Sequence, residues 1–189
     1  VQESVGYLFQ QDALLPWKTA FQNVELGLRF RGVPEAERKA KANAWLAKVG
    51  LAGFEHRYPH QLSGGQRRRV QMAQALIVEP KVILMDEPFS ALDIHTRHLM
   101  QNELLRLWQE DRRSVILITH DLEEAIALGD RVVVLSSGPA SRVVRSFDVD
   151  LERPRNVAEI KLDDRFTDLY RDIWACLRGE VEKSYARQD

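Results

Sequence analysis

The chain has 189 residues, with 27 lysines and arginines against 28 aspartates and glutamates and 44% hydrophobic residues, the balance of one α/β domain. A net charge of −1 excludes a global basic field for nucleic acid or anionic lipid, so phosphate chemistry has to come from local geometry. One cysteine, Cys176, excludes an internal disulfide and a cysteine-based zinc site and fits a reducing compartment, and no apolar run reaches the ~18 residues of a membrane span.

The chain opens on Val1, and Val5-Gly6-Tyr7-Leu8-Phe9 reads as a buried strand. Gln10 to Trp17 is a loop by its proline and polar content, with Leu14, Leu15 and Trp17 as apolar exceptions. A helix starts at Pro34 and runs to Val49, burying Ala42, Trp45, Leu46 and Val49, with Gly50 closing it. Leu62-Ser63-Gly64-Gly65-Gln66 opens a further helix with an inner face of Val70, Ala73, Leu76 and Ile77 and a charged face of Arg67, Arg68 and Arg69. Three continuous apolar runs follow: Val82 to Met85, Val115 to Ile118 and Val132 to Leu135. Helices over Ile94 to Gln109, burying Met100, Leu104 and Leu107, and over Leu122 to Leu128 separate them. Continuous apolar strands joined by helices predict a parallel sheet covered on both faces. After Pro154, the residues Phe166, Leu169, Tyr170, Ile173, Trp174 and Leu177 form a helical stripe, with Cys176 a small apolar residue beside it.

In open α/β sheets ligands bind beyond the carboxyl ends of the strands, so the residues following each apolar run carry the chemistry. The strand Val82 to Met85 is followed by Asp86 and Glu87; one carboxylate there can hold Mg²⁺ and its neighbour can polarise an attacking water, and a solvated acidic strand end is the plain alternative. Val115 to Ile118 leads to Thr119-His120-Asp121, an imidazole at the same edge, and the first strand ends in Gln10, whose amide can contact a metal or water. Ser63 is a natural N-cap, and Gly64 and Gly65 let an anion approach the unpaired amides at a helix start, where the dipole favours negative charge.

Gln10, Leu62-Ser63-Gly64-Gly65-Gln66, Ile83-Leu84-Met85-Asp86-Glu87-Pro88, Ser90-Ala91-Leu92-Asp93 and His120, in this order and spacing, resemble the nucleotide-binding domain of ABC transporters over the whole chain. The resemblance implies a P-loop NTPase-like α/β core with a helical subdomain. It implies a Q-loop at Gln10, the signature at Leu62 to Gln66, a Walker B strand ending at Asp86, the catalytic base at Glu87, a D-loop at Asp93 and the switch histidine at His120. It divides the chain into 1–11 (core strand and Q-loop), 12–75 (helical subdomain with the signature), 76–148 (Walker B to H-loop core) and 149–189 (helical tail). ATP and Mg²⁺ are the implied ligands, with Ser63, Gly64, Gly65, Gln66 and Asp93 on the nucleotide, Asp86 and Gln10 on the metal, and Glu87, His120 and Gln10 in catalysis. The implied partners are a second ATPase subunit in a head-to-tail dimer and membrane permease subunits. No nucleic acid is expected, and the implied location is cytoplasmic, peripheral on the inner face of the membrane.

Phe9 to Trp17, Glu103 to Trp108, Arg153-Pro154-Arg155 and Ile173-Trp174 look like the ATPases of nitrate, sulfonate or taurine importers. In these, the apolar loop holding Leu14, Leu15 and Trp17 receives a helix of the permease; packing on the helical subdomain is the alternative. Gln74 stands where relatives usually carry arginine. The chain contains no Gly-Lys dipeptide, so the phosphate-cradling P-loop is expected to precede Val1 with the early strands, a truncation of at least the ~30 residues of a βαβ unit. The 189 residues alone are then expected to be catalytically incompetent. A non-transport ABC ATPase and a non-catalytic interaction module are the competing functions, and an in-frame Gly-Lys-Ser/Thr loop encoded upstream of Val1 would separate the enzyme from the module.

Overall fold

The computed structural model describes residues 5–11, 13–136, 138 and 140–185, with side chains of the last helix through Glu180. The chain divides into two compact units, Val1–Ile118 and Thr119–Asp189.

The first unit contains β1 (Val5–Leu8), α1 (Ala20–Phe30), α2 (Glu35–Lys48), a 3-10 turn (Pro59–Gln61), α3 (Gly64–Leu76), β2 (Val82–Asp86), α4 (Ile94–Glu110) and β3 (Ser114–Ile118). The strands form a parallel sheet in the order β1-β2-β3. A parallel neighbour requires a crossover, and here α1 to α3 fill the first and α4 the second. Gly6 seats β1 against the connection between α3 and β2: a Cβ there would lie 2.9 Å from Pro80 Cγ and 3.1 Å from the Ala75 carbonyl oxygen.

The expected helices and strands are present, with ends shifted by a residue or so. Pro34 caps α2 and Gly50 follows its C-cap in the left-handed conformation, as expected of a terminating glycine. Within the helical segment expected over 12–75, the sequence pattern marks out no separate helix at Ala20–Phe30, although Thr19 and Gln22 form a capping box at the start of α1.

Expected coverage of the sheet on both faces is corrected for the described residues. Ile83, Met85 and Leu8 are buried, whereas Val5, Tyr7, Ile116 and Ile118, which point the other way by strand alternation, are exposed. Apolar content on both faces made the strands read as doubly covered, but within this unit the helices bury one face only.

The second unit holds α5 (Leu122–Leu128), β4 (Arg131–Leu135), β5 (Val143–Asp148), a 3-10 turn (Ile160–Leu162) and α6 (Asp164–Tyr185). β4 does not join the parallel sheet, as its apolar run suggested; it pairs antiparallel with β5. The short connection permits it: the Ser136 N–H donates to the Arg142 carbonyl at 2.9 Å, closing a hairpin that no parallel pairing could make. Val132 and Val134 face inward while Val133 and Leu135 face solvent, so the run alternates in burial though not in composition. The stripe on α6 is likewise wider than the face that α5, β4 and β5 cover: Phe166 and Ile173 are buried, and Trp174 is exposed.

Arg155, 6% exposed, organises this unit. Its guanidinium donates to five carbonyls, those of Ile126, Ala127 and Gly129 around the end of α5 and of Val149 and Leu151 after β5. Burial, with Arg153 nearby, lowers its pKa from the usual arginine value, and Asp130 opposes that shift.

Candidate functional site

The register of the sheet brings the first pair of polar residues together. Leu8 lies opposite Met85, so two residues further on Gln10 and Glu87 arrive level at the carboxyl ends of neighbouring parallel strands. There Gln10 Nε2 donates to Glu87 Oε2 at 2.8 Å. Asp86 is the last residue of β2 and is half-buried.

Glu87 adopts φ +42°, a left-handed conformation that costs a non-glycine residue about 1–3 kcal/mol. Three hydrogen bonds hold it. Its N–H donates to the Ile118 carbonyl at the end of β3 at 2.8 Å, and its carbonyl accepts from Ser90 Oγ at 3.0 Å and from the Ser90 N–H at 3.3 Å. Phe89, fully buried, pins the turn from below. Sequence reasoning could name Glu87 but had no signal for the φ value or for the part played by Ser90.

Ser63 caps α3 as expected: its Oγ accepts from the Gln66 N–H at 3.2 Å, while Gln66 Oε1 accepts from the Ser63 N–H at 2.9 Å. The Gln66 side chain is therefore engaged with its own cap. What remains to face an anion is the backbone, the first-turn amides that no helix can satisfy internally. Gly64 is exposed and open, with nothing nearer than 3.9 Å to an added Cβ. Gly65 has a different reason to be glycine, because a Cβ there would lie 2.9 Å from Thr96 Cγ2 on α4. Gly65→Ala is expected to lose about 1 kcal/mol, the overpacking cost less the gain in helix propensity. Combining it with Thr96→Ser, which deletes only the obstructing methyl, should restore the urea midpoint; if the pair adds two losses, the contact is not the cause.

Asp93 is the N-cap of α4, its Oδ1 accepting from the Thr96 N–H at 3.0 Å. Hydrogen bonds from Thr96, its backbone N–H foremost, hold the exposed Asp93 carboxyl below the usual aspartate range, so it is charged at neutral pH.

His120 is exposed, two residues beyond β3, and belongs to the second unit. It precedes Asp121, the N-cap of α5, whose Oδ1 accepts from the Glu124 N–H at 3.1 Å.

The apolar loop is split by the structure. Leu14 is buried, Leu15 is half-buried and Trp17 is 70% exposed, so Leu14 follows the packing alternative and, of the three, Trp17 is the exposed apolar residue. Asn23, fully buried on α1, shapes the loop: its Nδ2 donates to the carbonyls of Leu15, Lys18 and Thr19, and its Oδ1 accepts from the Leu15 N–H at 2.8 Å. Leu14 goes inside because this amide folds the loop back onto α1, which no local pattern announces.

The charged face of Arg67, Arg68 and Arg69 on α3 is bonded to backbone carbonyls. Arg67 Nη1 donates to the Leu62 carbonyl at 2.7 Å, Arg69 Nη1 to the Val49 carbonyl at 2.8 Å, and the buried Arg68 to the Phe9 carbonyl at 2.7 Å. Three adjacent guanidinia thus tie three separate segments to one helix, because carbonyls left over at loops need donors.

The polar groups gathered at the sheet edge suit a divalent cation of the Mg²⁺ kind. Asp86, the Gln10 amide and Glu87 supply hard oxygen ligands, and among the described residues no group of three His, Cys, Asp or Glu is arranged to hold a metal by itself. Mg²⁺ keeps waters and takes phosphate oxygens alongside one or two carboxylates, so hard oxygens of this kind could serve it.

The ABC transporter family profile matches residues 1–90. The chain is 45% identical over 179 residues to an uncharacterised ABC transporter ATP-binding protein of Methanocaldococcus jannaschii, covering 95% of this chain and 65% of that protein. It is 46% identical over 183 residues to the taurine import ATP-binding protein TauB of Pseudomonas entomophila, covering 95% and 70%. With the nitrate import ATP-binding protein NrtD of Synechocystis it shares 43% identity over 187 residues, covering 96% and 70%. The chain thus spans about two thirds of the length of these relatives. Among solved structures, a dimeric post-hydrolysis state of the ATP-binding cassette MJ0796 bound to ADP and Pi matches with a TM-score of 0.66 at 37% identity, over 79% of this chain and 64% of that one. Identity at this level over nearly the whole chain, together with the parallel sheet and helices of an ATP-binding cassette, places the chain in the family of ABC transporter ATP-binding proteins.

Proposed function

We propose that the complete protein is the ATP-hydrolysing subunit of an ABC importer for taurine, nitrate, sulfonate or a similar small solute, and that this chain carries its water-activating carboxylate. The observation that carries the reading is the strained Glu87 at a strand end, its Oε2 held by Gln10. A carboxylate held at a strand end and oriented by an amide is the kind of group that can take a proton from a water.

In this reading Glu87 accepts the proton of the attacking water while Gln10 orients the carboxylate. Asp86 and Gln10 would hold Mg²⁺, which supplies charge neutralisation to the transferred phosphoryl group. The amides of Gly64 and Gly65 behind the Ser63 cap bind phosphate oxygens of a nucleotide shared with a second subunit, packed head to tail. Asp93 borders that seat and keeps the start of α4 in register with it. His120 is assigned the γ-phosphate contact. Trp17 presents the apolar surface for a permease subunit, which would hold the protein on the cytoplasmic face of the membrane; among the described residues no helix is long and apolar enough to cross it.

The test is Glu87→Gln in the complete protein, with nucleotide binding and turnover measured together. For the 189 residues alone, which contain no Gly-Lys dipeptide, calorimetry is expected to give Mg-ATP affinity weaker than the micromolar range and no turnover. Micromolar binding by this chain would contradict that.

A further inference from the structure

We propose that Arg68 is a positioning residue that couples the start of α3 to the Gln10–Glu87 pair, an inference that rests on the ATPase reading above. A run of three arginines on an exposed helix start is ordinarily a solvated face, yet the Arg68 side chain turns inward and is only 5% exposed. Its Nη1 donates to the Phe9 carbonyl at 2.7 Å and to Gln71 Oε1, one turn further along α3, at 2.6 Å. The guanidinium carbon lies 6.0 Å from the centroid of the Phe89 ring.

These contacts fall on both halves of the candidate site. Phe9 immediately precedes Gln10, and Phe89 follows Glu87 by two residues. One buried guanidinium therefore grips the backbone at the end of β1 and rests against the ring that anchors the turn after β2. Gln71, itself buried, fixes the fork from the helix side. The Phe9 side chain is 51% exposed and Gln10 and Gln11 are exposed, so side-chain packing restrains this segment weakly. A charge-assisted hydrogen bond in a buried setting is the stronger restraint. Arg68 sits one turn inside the Ser63 cap, so a displacement of the anion-facing end of α3 is passed to the Phe9 carbonyl and from there to the amide that orients Glu87. A misplacement of about 1 Å in a catalytic group can cost ~100-fold in rate, which makes such a tether chemically consequential.

The experiment compares Arg68→Met, which keeps an unbranched stem and removes every donor, with Arg68→Lys, which restores one. In the complete protein, Arg68→Met is expected to lower kcat for ATP about tenfold with KM changed less than about twofold, and Arg68→Lys to recover kcat to within about threefold of wild type. Without nucleotide, amide exchange over residues 9–11 should accelerate about tenfold in Arg68→Met while the rest of the sheet keeps its protection. Wild-type kcat and exchange in Arg68→Met overturn the proposal, and so does faster exchange spread evenly over the first unit, which would mark a merely structural arginine. If Arg68→Met does not fold, the Arg68→Lys exchange and kcat values decide, because they have to shift together. Glu87→Gln measured alongside keeps the two readings apart. Wild-type turnover by that variant removes the ATPase assignment, whereas its inactivity beside an unimpaired Arg68→Met removes the positioning role alone.

Discussion

Replacing Glu87 by glutamine in the complete protein should lower ATP turnover by about 100-fold or more while nucleotide binding survives, because general-base catalysis contributes 10²–10⁴ and the amide has no proton affinity to offer. Glutamine is nearly isosteric, so the left-handed backbone, the hydrogen bond to Ile118 and the two from Ser90 persist. The Gln10 amide still finds an oxygen on the substituted side chain. Equilibrium binding of Mg-ATP and single-turnover hydrolysis, measured on one preparation, check this. Loss of both would indicate a damaged fold, and retention of both would remove Glu87 from the chemistry. Glycine at the same position would relax the backbone strain while removing the carboxylate, so a variant more stable and equally inactive separates the cost of the conformation from its use.

The largest stability effect is expected at Arg155. Arg155→Met keeps the buried stem but strands the carbonyls of Ile126, Ala127, Gly129, Val149 and Leu151. An unsatisfied buried acceptor costs about 1–3 kcal/mol, and several of these will find water as the unit relaxes, so a loss of about 3 kcal/mol or more is anticipated. Urea unfolding of the second unit should show it as a midpoint lowered by more than about 1 M. Arg155→Lys should fall between, since one ammonium cannot span the fork from α5 to the segment after β5. A change under about 0.5 kcal/mol in Arg155→Met would mean that the carbonyls are hydrated already and that the guanidinium is a passenger.

Much of this molecule is legible along the chain. Apolar runs of strand length, the cap at Ser63, the glycine pair after it and the acidic residues following Met85 are local patterns, and local patterns survive the absence of coordinates. Parallel pairing of β1, β2 and β3 followed from runs separated by helices, and with it came the convergence of Gln10 and Glu87 at one edge. The likeness to ABC transporter ATP-binding proteins stands on these same residues.

Other features depended on partners far away in sequence. Arg68 and its two neighbours look alike in the chain, and only the placement of the Phe9, Leu62 and Val49 carbonyls gives each a different task. Leu14 and Trp17 are equally apolar, and it is Asn23 on α1 that sends one inside and leaves the other out. Gly64 and Gly65 read as one motif until Thr96 on α4 distinguishes a glycine with open space before it from a glycine that another helix needs. β4 left the parallel sheet because a nearby antiparallel partner was within reach of a short turn. Composition and periodicity determine which segments become helices or strands and where their ends fall, since those depend on the backbone and its nearest neighbours. Which polar group meets which, and at what strain, is decided by the register and packing of distant segments, and this is why Glu87 could be named from the sequence while its conformation could not.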